Sequence, residues 1–249
     1  MKKENLVLVH SFPTNTVMLK GLKEFLDDYF NVYFLDLPGF NVNIPPLKNI
    51  TYDDYSKYLE DYIKKLKLKD YFLGGISFGF LVVNNSKINK RCKGFLAIEP
   101  FINANYLKQK FILISLIKIG LFFVTCLQLH NKFYNSTLFK KILLLQNPKH
   151  RIETMIKTID GVTFFETLKL LFNTKTIPKF QKKPYILLIN SNDNIVNADK
   201  TIKLFKKLNN KLILKIKSEH YPSDITKKYF QKKINSKVMK QLLDFCKSV

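Results

Sequence analysis

Short, largely apolar runs recur along this chain at residues 6–10, 32–36, 71–75, 94–98, 185–190 and 211–217, the last interrupted by Lys215, and each is flanked by Asn, Asp, Gly or Pro. Runs of that length predict strands buried on both faces. Segments of helical character fall between them, and the alternation predicts a mostly parallel sheet covered by helices on both sides. One stretch stands apart. Phe111 to Leu129 is the most hydrophobic part of the chain and approaches the length of a membrane span, but Lys118 sits at its centre, where a charge is costly in lipid. It falls between the fourth and fifth predicted strands. No internal repeat is visible.

Composition changes this picture only in part. A chain of 249 residues can bury one large core and carry an insertion. Forty-two Lys and Arg against 19 Asp and Glu give a formal net charge of +23, which raises nucleic acid or an anionic membrane as a partner. Yet the arginines are only Arg91 and Arg151. Arginine is the residue suited to bidentate phosphate and base contacts, so no specific nucleic-acid partner is expected. The lysines are scattered, with short clusters such as Lys182-Lys183 and Lys232-Lys233, and read as a solvated face with a weak attraction to acidic surfaces. Cys92, Cys126 and Cys246 have neither metal-ligand nor redox spacing and predict reduced thiols in a cytoplasmic setting. The apolar run after Met1-Lys-Lys-Glu ends at His10, too short for a signal-peptide core.

Candidate chemistry centres on Tyr71-Phe-Leu-Gly-Gly75-Ile-Ser77-Phe-Gly79-Phe-Leu-Val-Val83. An apolar strand enters a Gly-x-Ser-x-Gly turn and a helical segment leaves it, the context in which this motif holds a nucleophilic serine on a sharp turn. Glycine is scarce, 8 in 249 residues, which makes two at this spacing informative. Farther on, one predicted strand delivers Asp193 into the loop Asn190-Ser-Asn-Asp193-Asn-Ile-Val196, and another delivers His220 beside Pro222. Glu99, at the end of the fourth strand, is the alternative acid. His130 and His150 lie in the stretch between the fourth and fifth strands, and Asp36, before Leu-Pro-Gly39, reads as a loop-former.

The order Ser77, Asp193, His220 is similar to that of the α/β-hydrolase superfamily, and the resemblance covers nearly the whole chain outside a central insert. It implies an α/β-hydrolase core over 1–103 and 178–249, with a helical cap over 104–177 whose apolar residues line the acyl pocket or pack on the core. It also implies a sheet trimmed at the edge where many members carry two further strands. By roles, Ser77 is the nucleophile, His220 the base and Asp193 its orienting acid, with backbone N–H groups of Phe12 and Phe78 as the oxyanion hole. His10 falls in the turn where the family's imidazole is structural. The implied reaction is cleavage of a carboxylic ester or thioester with an apolar acyl group, without metal or organic cofactor. Carbon–carbon hydrolysis, acyl transfer and a non-catalytic binding role on the same fold are the alternatives. Ser11, Phe80 and Glu219 stand where the family often has glycine, which implies a divergent member. An acidic acyl-carrier protein or an anionic membrane surface would suit the lysine excess as partner, the latter implying peripheral membrane contact.

Overall fold

The structure, a computed structural model, describes residues 3–108, 111–144, 148–217 and 225–249. Its strands are β1 (Glu4–Val9), β2 (Phe30–Leu35), β3 (Tyr71–Ile76), β4 (Cys92–Ile98), β5 (Tyr185–Asn190) and β6 (Lys211–Ile216), in the places the apolar runs predict. They form one sheet in the order β2-β1-β3-β4-β5-β6, with every neighbouring pair parallel. Parallel neighbours require crossovers, and helices supply them.

Alternate residues of each strand enter different cores. Val7, Val9, Leu73, Phe95, Ala97, Leu187 and Ile189 pack on one face against α2 (Tyr52–Leu66), α3 (Phe78–Asn85) and α9 (Ala198–Phe205). Leu6, Leu8, Phe72, Leu96, Ile186, Leu188 and Leu214 pack on the other against α1 (Lys20–Leu26), α10 (Lys227–Lys233) and α11 (Ser236–Ser248). The period of two is the pleat itself. Helix α2 shows the matching helical pattern: Tyr55, Leu59 and Ile63 recur every four residues and are buried. Its Thr51 cap accepts the Asp54 N–H at 3.1 Å, and left-handed Lys67 ends it.

Between β4 and β5 the chain makes helices α4 (Phe111–Cys126), α5 (His130–Tyr134), α6 (Thr137–Leu144), α7 (Lys149–Thr158) and α8 (Gly161–Asn173). The two ends of this insert lie side by side: Ala104 N donates to Thr174 O at 3.0 Å, and the buried Asn103 side chain donates to Lys175 O at 3.1 Å. The insert rests on loops at the carboxyl end of the sheet. Asn15, after β1, donates to Phe40 O at 2.9 Å and to Thr158 Oγ1 at 2.7 Å, while Asp160 N donates to Gly39 O at 2.8 Å. A phenylalanine cluster of Phe133, Phe139, Phe164 and Phe165 welds the helices together.

The expectation that the apolar residues of the insert line a pocket or pack on the core needs correction at α4. Ile117, Leu121 and Val124 do pack inward, but Leu116, Ile119, Phe122, Phe123 and Leu127 are exposed. The physical reason is that α4 is apolar around most of its circumference, Lys118 apart, while among the described residues only α8 and, to a lesser extent, α5 pack closely against it. No helix among the described residues is long and apolar enough to cross a membrane.

Candidate active site

The β3–α3 turn holds one of the left-handed non-glycine residues of the chain. Ser77 has φ 48° and ψ −111°, in the left-handed half of conformational space that side chains avoid. Holding a serine there costs about 1–3 kcal/mol, so the surroundings must over-determine it. They do: Ser77 N donates to Ile98 O at 2.9 Å, and Ser77 O accepts from Phe80 N at 3.1 Å and Phe101 N at 3.2 Å. The glycines make the turn feasible. A Cβ on Gly75 would lie 2.5 Å from Gly79 backbone, and one on Gly79 would lie 2.5 Å from His10 O. Helix α3 therefore starts in near contact with the end of β1.

That contact places the two N–H groups implied as oxyanion donors on adjacent loops. β1 and β3 are neighbours in register at Val9 and Gly75, so Phe12 and Phe78 leave the same end of the sheet. Phe78 is the first residue of α3, and its N–H has no acceptor within the helix. β1 is also the point where the chain turns from building one side of the sheet to the other. Open parallel sheets bind ligands in the crevice at such a point.

His10 is fully buried and bridges two backbone groups. Its Nδ1 lies 2.8 Å from Ser11 O, and Leu37 N donates to its Nε2 at 3.1 Å. A carbonyl can only accept and an amide can only donate, so the proton is on Nδ1 and the ring is neutral. Burial pushes its pKa below the usual 6.5, against the upward pull of Asp36. Asp36 holds a loop as expected: it accepts from Thr16 N at 2.6 Å, Thr16 Oγ1 at 2.7 Å and Asn41 Nδ2 at 2.8 Å.

Strand register sets the remaining candidates. Ile76, Ile98 and Leu188 lie across β3, β4 and β5, so Ser77, Glu99 and the loop after Asn190 rise from one end of the sheet. Asp193 is buried in that loop, and its Oδ1 accepts Ile195 N at 2.7 Å and Val196 N at 2.9 Å. The loop is pinned to the start of the insert by Lys108 N on Ile195 O at 2.8 Å and Asn197 N on Tyr106 O at 2.6 Å. Glu99 is also buried, and its φ of 43° repeats the left-handed geometry of Ser77 one strand away. β6 ends at Ile216, paired with Asn190 at the same sheet end. His220 lies outside the described residues, as do Glu219 and Pro222. The structure thus brings Ser77, Phe12, Phe78, Glu99 and Asp193 to the carboxyl end of the sheet.

Solved structures with the same fold are numerous. A hydrolase from Oleispira antarctica superposes with a TM-score of 0.70 at 13% identity, over 100% of this chain and 93% of that one. The chain has the α/β-hydrolase fold. MenH from S. aureus gives 0.62 at 15% identity, covering 100% of this chain and 95% of its own. A thermophilic esterase from Thermogutta terrifontis gives 0.65 at 15%, covering 99% and 90%. By sequence, no family model and no curated protein matches the chain.

Within this α/β-hydrolase fold, sequence reasoning missed two buried asparagines. Asn15 and Asn103 tie the insert to the core through side-chain bonds to distant backbone. The only signal in the sequence is an asparagine a few residues after a strand, which any turn would also produce. Tyr52 and Tyr55 on α2 were likewise unassigned, and their hydroxyls reach Thr174 at 2.7 Å and Thr167 at 3.2 Å in the insert. Burial pushes both phenols above their ordinary value, so they stay protonated. Among the described residues, no group of three or more His, Cys, Asp or Glu could hold a metal ion.

Proposed function

We propose that the protein is a serine hydrolase cleaving a carboxylic ester or thioester with an apolar acyl group. The observation that carries this is the strained, triply hydrogen-bonded Ser77 turn between β3 and α3, at the switch point of the sheet. A backbone held at φ 48° by its surroundings is the geometry that projects a serine hydroxyl from the sheet end. Hydrolases and esterases recur among the structural neighbours, which supports hydrolytic chemistry.

In this reading His220 takes the Ser77 proton as Oγ attacks the carbonyl carbon. Asp193 accepts the other imidazole N–H and stabilises the imidazolium. The tetrahedral oxyanion sits between the N–H groups of Phe12 and Phe78, each such donor contributing about 3 kcal/mol to the barrier reduction. Collapse expels the alcohol or thiol, protonated by His220, and leaves an acyl-enzyme. Water activated by the same histidine then releases the acid. The 104–177 insert acts as a cap over this site.

The surroundings suit an apolar acyl chain. Phe12 packs 5.0 Å from Phe164 of the insert, centroid to centroid, and Phe40 sits 6.3 Å from both Phe12 and Phe78. The test is a series of nitrophenyl esters and acyl thioesters of increasing chain length, with wild type beside Ser77→Ala. The expected result is kcat/KM that rises with acyl length and falls by at least about 10⁴-fold in the variant. Turnover unaffected by Ser77→Ala, or no turnover across the series, would overturn the proposal.

A further inference from the structure

Two observations outside the site converge on the insert. The first is steric: α4 leaves Leu116, Ile119 and Phe123 exposed along one side, continued by Leu127 just past its end at the same three- and four-residue spacing, with Phe122 beside them at 61% exposure. Helix α6 repeats this with exposed Leu138 and Ile142 one turn apart. Large contiguous apolar surface of this kind marks a binding face. The second is electrostatic: no carboxylate occurs between Glu99 and Glu153, while seven lysines and Arg151 fall in that interval. Lys149 pairs with Glu153 at 3.8 Å, but the stretch still carries a net excess of basic residues alongside its apolar ones.

We propose that the α4 face of the insert docks the protein on an anionic lipid surface, with the helix lying in the headgroup plane. Sixteen residues of α4 measure about 24 Å, short of a bilayer's hydrocarbon core, so the helix suits a position along the membrane, not across it. Apolar area plus attraction to acidic lipid is the pairing that holds such helices in place. A second copy of the chain fits less well, because it would set one acid-free, lysine-bearing segment against another. Between α6 and α7 an open groove of about 370 Å³ is lined by Leu144, Ile152 and Ile156, by Lys140, Lys149 and Lys157, and by Glu153, which pairs with Lys149 at 3.8 Å. Three lysines against one carboxylate leave the groove net positive, which suits an amphiphile with a negative head. If the proposed function holds, docking would bring the protein to the phase where its apolar acyl substrates reside.

The test is independent of turnover. Full-length protein is sedimented with phosphatidylcholine vesicles containing about one-third phosphatidylglycerol, and with pure phosphatidylcholine, at low salt and at about 0.5 M NaCl. A Phe122→Ser/Phe123→Ser variant runs alongside, its folding checked by thermal unfolding; both residues are exposed, so it should melt like wild type. Cys126 on α4 is exposed and free, and carries an environment-sensitive fluorophore in a parallel sample. The proposal expects binding to the anionic vesicles only, loss of binding at high salt, a blue shift of the fluorophore, and at least about tenfold weaker binding in the variant. It is overturned by absence of binding at low salt, by equal binding of the variant, or by binding without a blue shift. A dimer in solution that the double substitution dissociates would also overturn it, assigning the face to a second copy.

Discussion

Gly79→Ala probes the elbow most sharply, because the structure gives the size of the perturbation. The new Cβ would stand 2.5 Å from His10 O and 2.6 Å from Val9 O, both backbone atoms that cannot swing away. Reaching ordinary contact needs about 1 Å of separation between α3 and β1. Overpacking on that scale costs about 2 kcal/mol, which for a chain of this size lowers Tm by about 4–8 °C. The same displacement moves the Phe78 N–H away from Ser77's reacting position, and a misplacement of about 1 Å can cost about 10²-fold in rate. Thermal unfolding and ester turnover are measured on the same preparation, with Gly120→Ala as the control. Nothing lies within 4 Å of a Cβ at Gly120, on the exposed α4, so alanine there should raise Tm by about 1–3 °C through helix propensity alone. Unchanged Tm and kcat/KM in Gly79→Ala would refute the close approach of α3 to β1 and the role built on it.

Three further outcomes follow from the site and its surroundings. Because burial holds His10 below 6.5, the unfolded chain takes up a proton that the folded chain refuses. Stability from this group is complete above that pH and declines as pH falls through it, by up to about 1.4 kcal/mol per unit. Tm followed from neutral to mildly acid pH should show that decline, and a His10→Asn variant should be less stable at neutral pH with a shallower slope. Asp193→Asn should lower kcat by about 10⁴-fold and Glu99→Gln by less than about tenfold, and the reverse ranking would make Glu99 the orienting acid. Native-state titration with a thiol reagent should modify Cys126 quickly and spare Cys92 and Cys246, whose buried thiols are pushed up to about 11 and about 12; rapid reaction of all three would contradict the packing around β4 and α11.

Much of the fold was legible because its sheet is buried on both faces. Runs such as Leu6-Val-Leu-Val9 and Tyr185-Ile-Leu-Leu-Ile189 have no polar position to blur them, and Asn, Asp or Pro marks their ends. The serine turn was legible because glycine is needed where two backbones nearly touch, and few other glycines compete for attention. Glu99 shows where pattern reading stops: nothing in Ala97-Ile-Glu-Pro100 announces its left-handed φ, which tertiary contacts impose. Asn15 and Asn103 were silent for a related reason, since their partners lie 143 and 72 residues away. Helix α4 was visible as an apolar run, but hydrophobicity alone does not say whether a face meets a pocket, a core or solvent. The placement of α8 and α5 against it decides that.

The most direct test of an activated Ser77 is reaction with a fluorophosphonate, followed by intact mass and by mapping of the modified peptide. Labelling at Ser77 should be rapid and stoichiometric, and should disappear in Ser77→Ala and in His220→Ala while both variants stay folded. Folded wild-type protein that fails to label, or that labels at another serine, would contradict it.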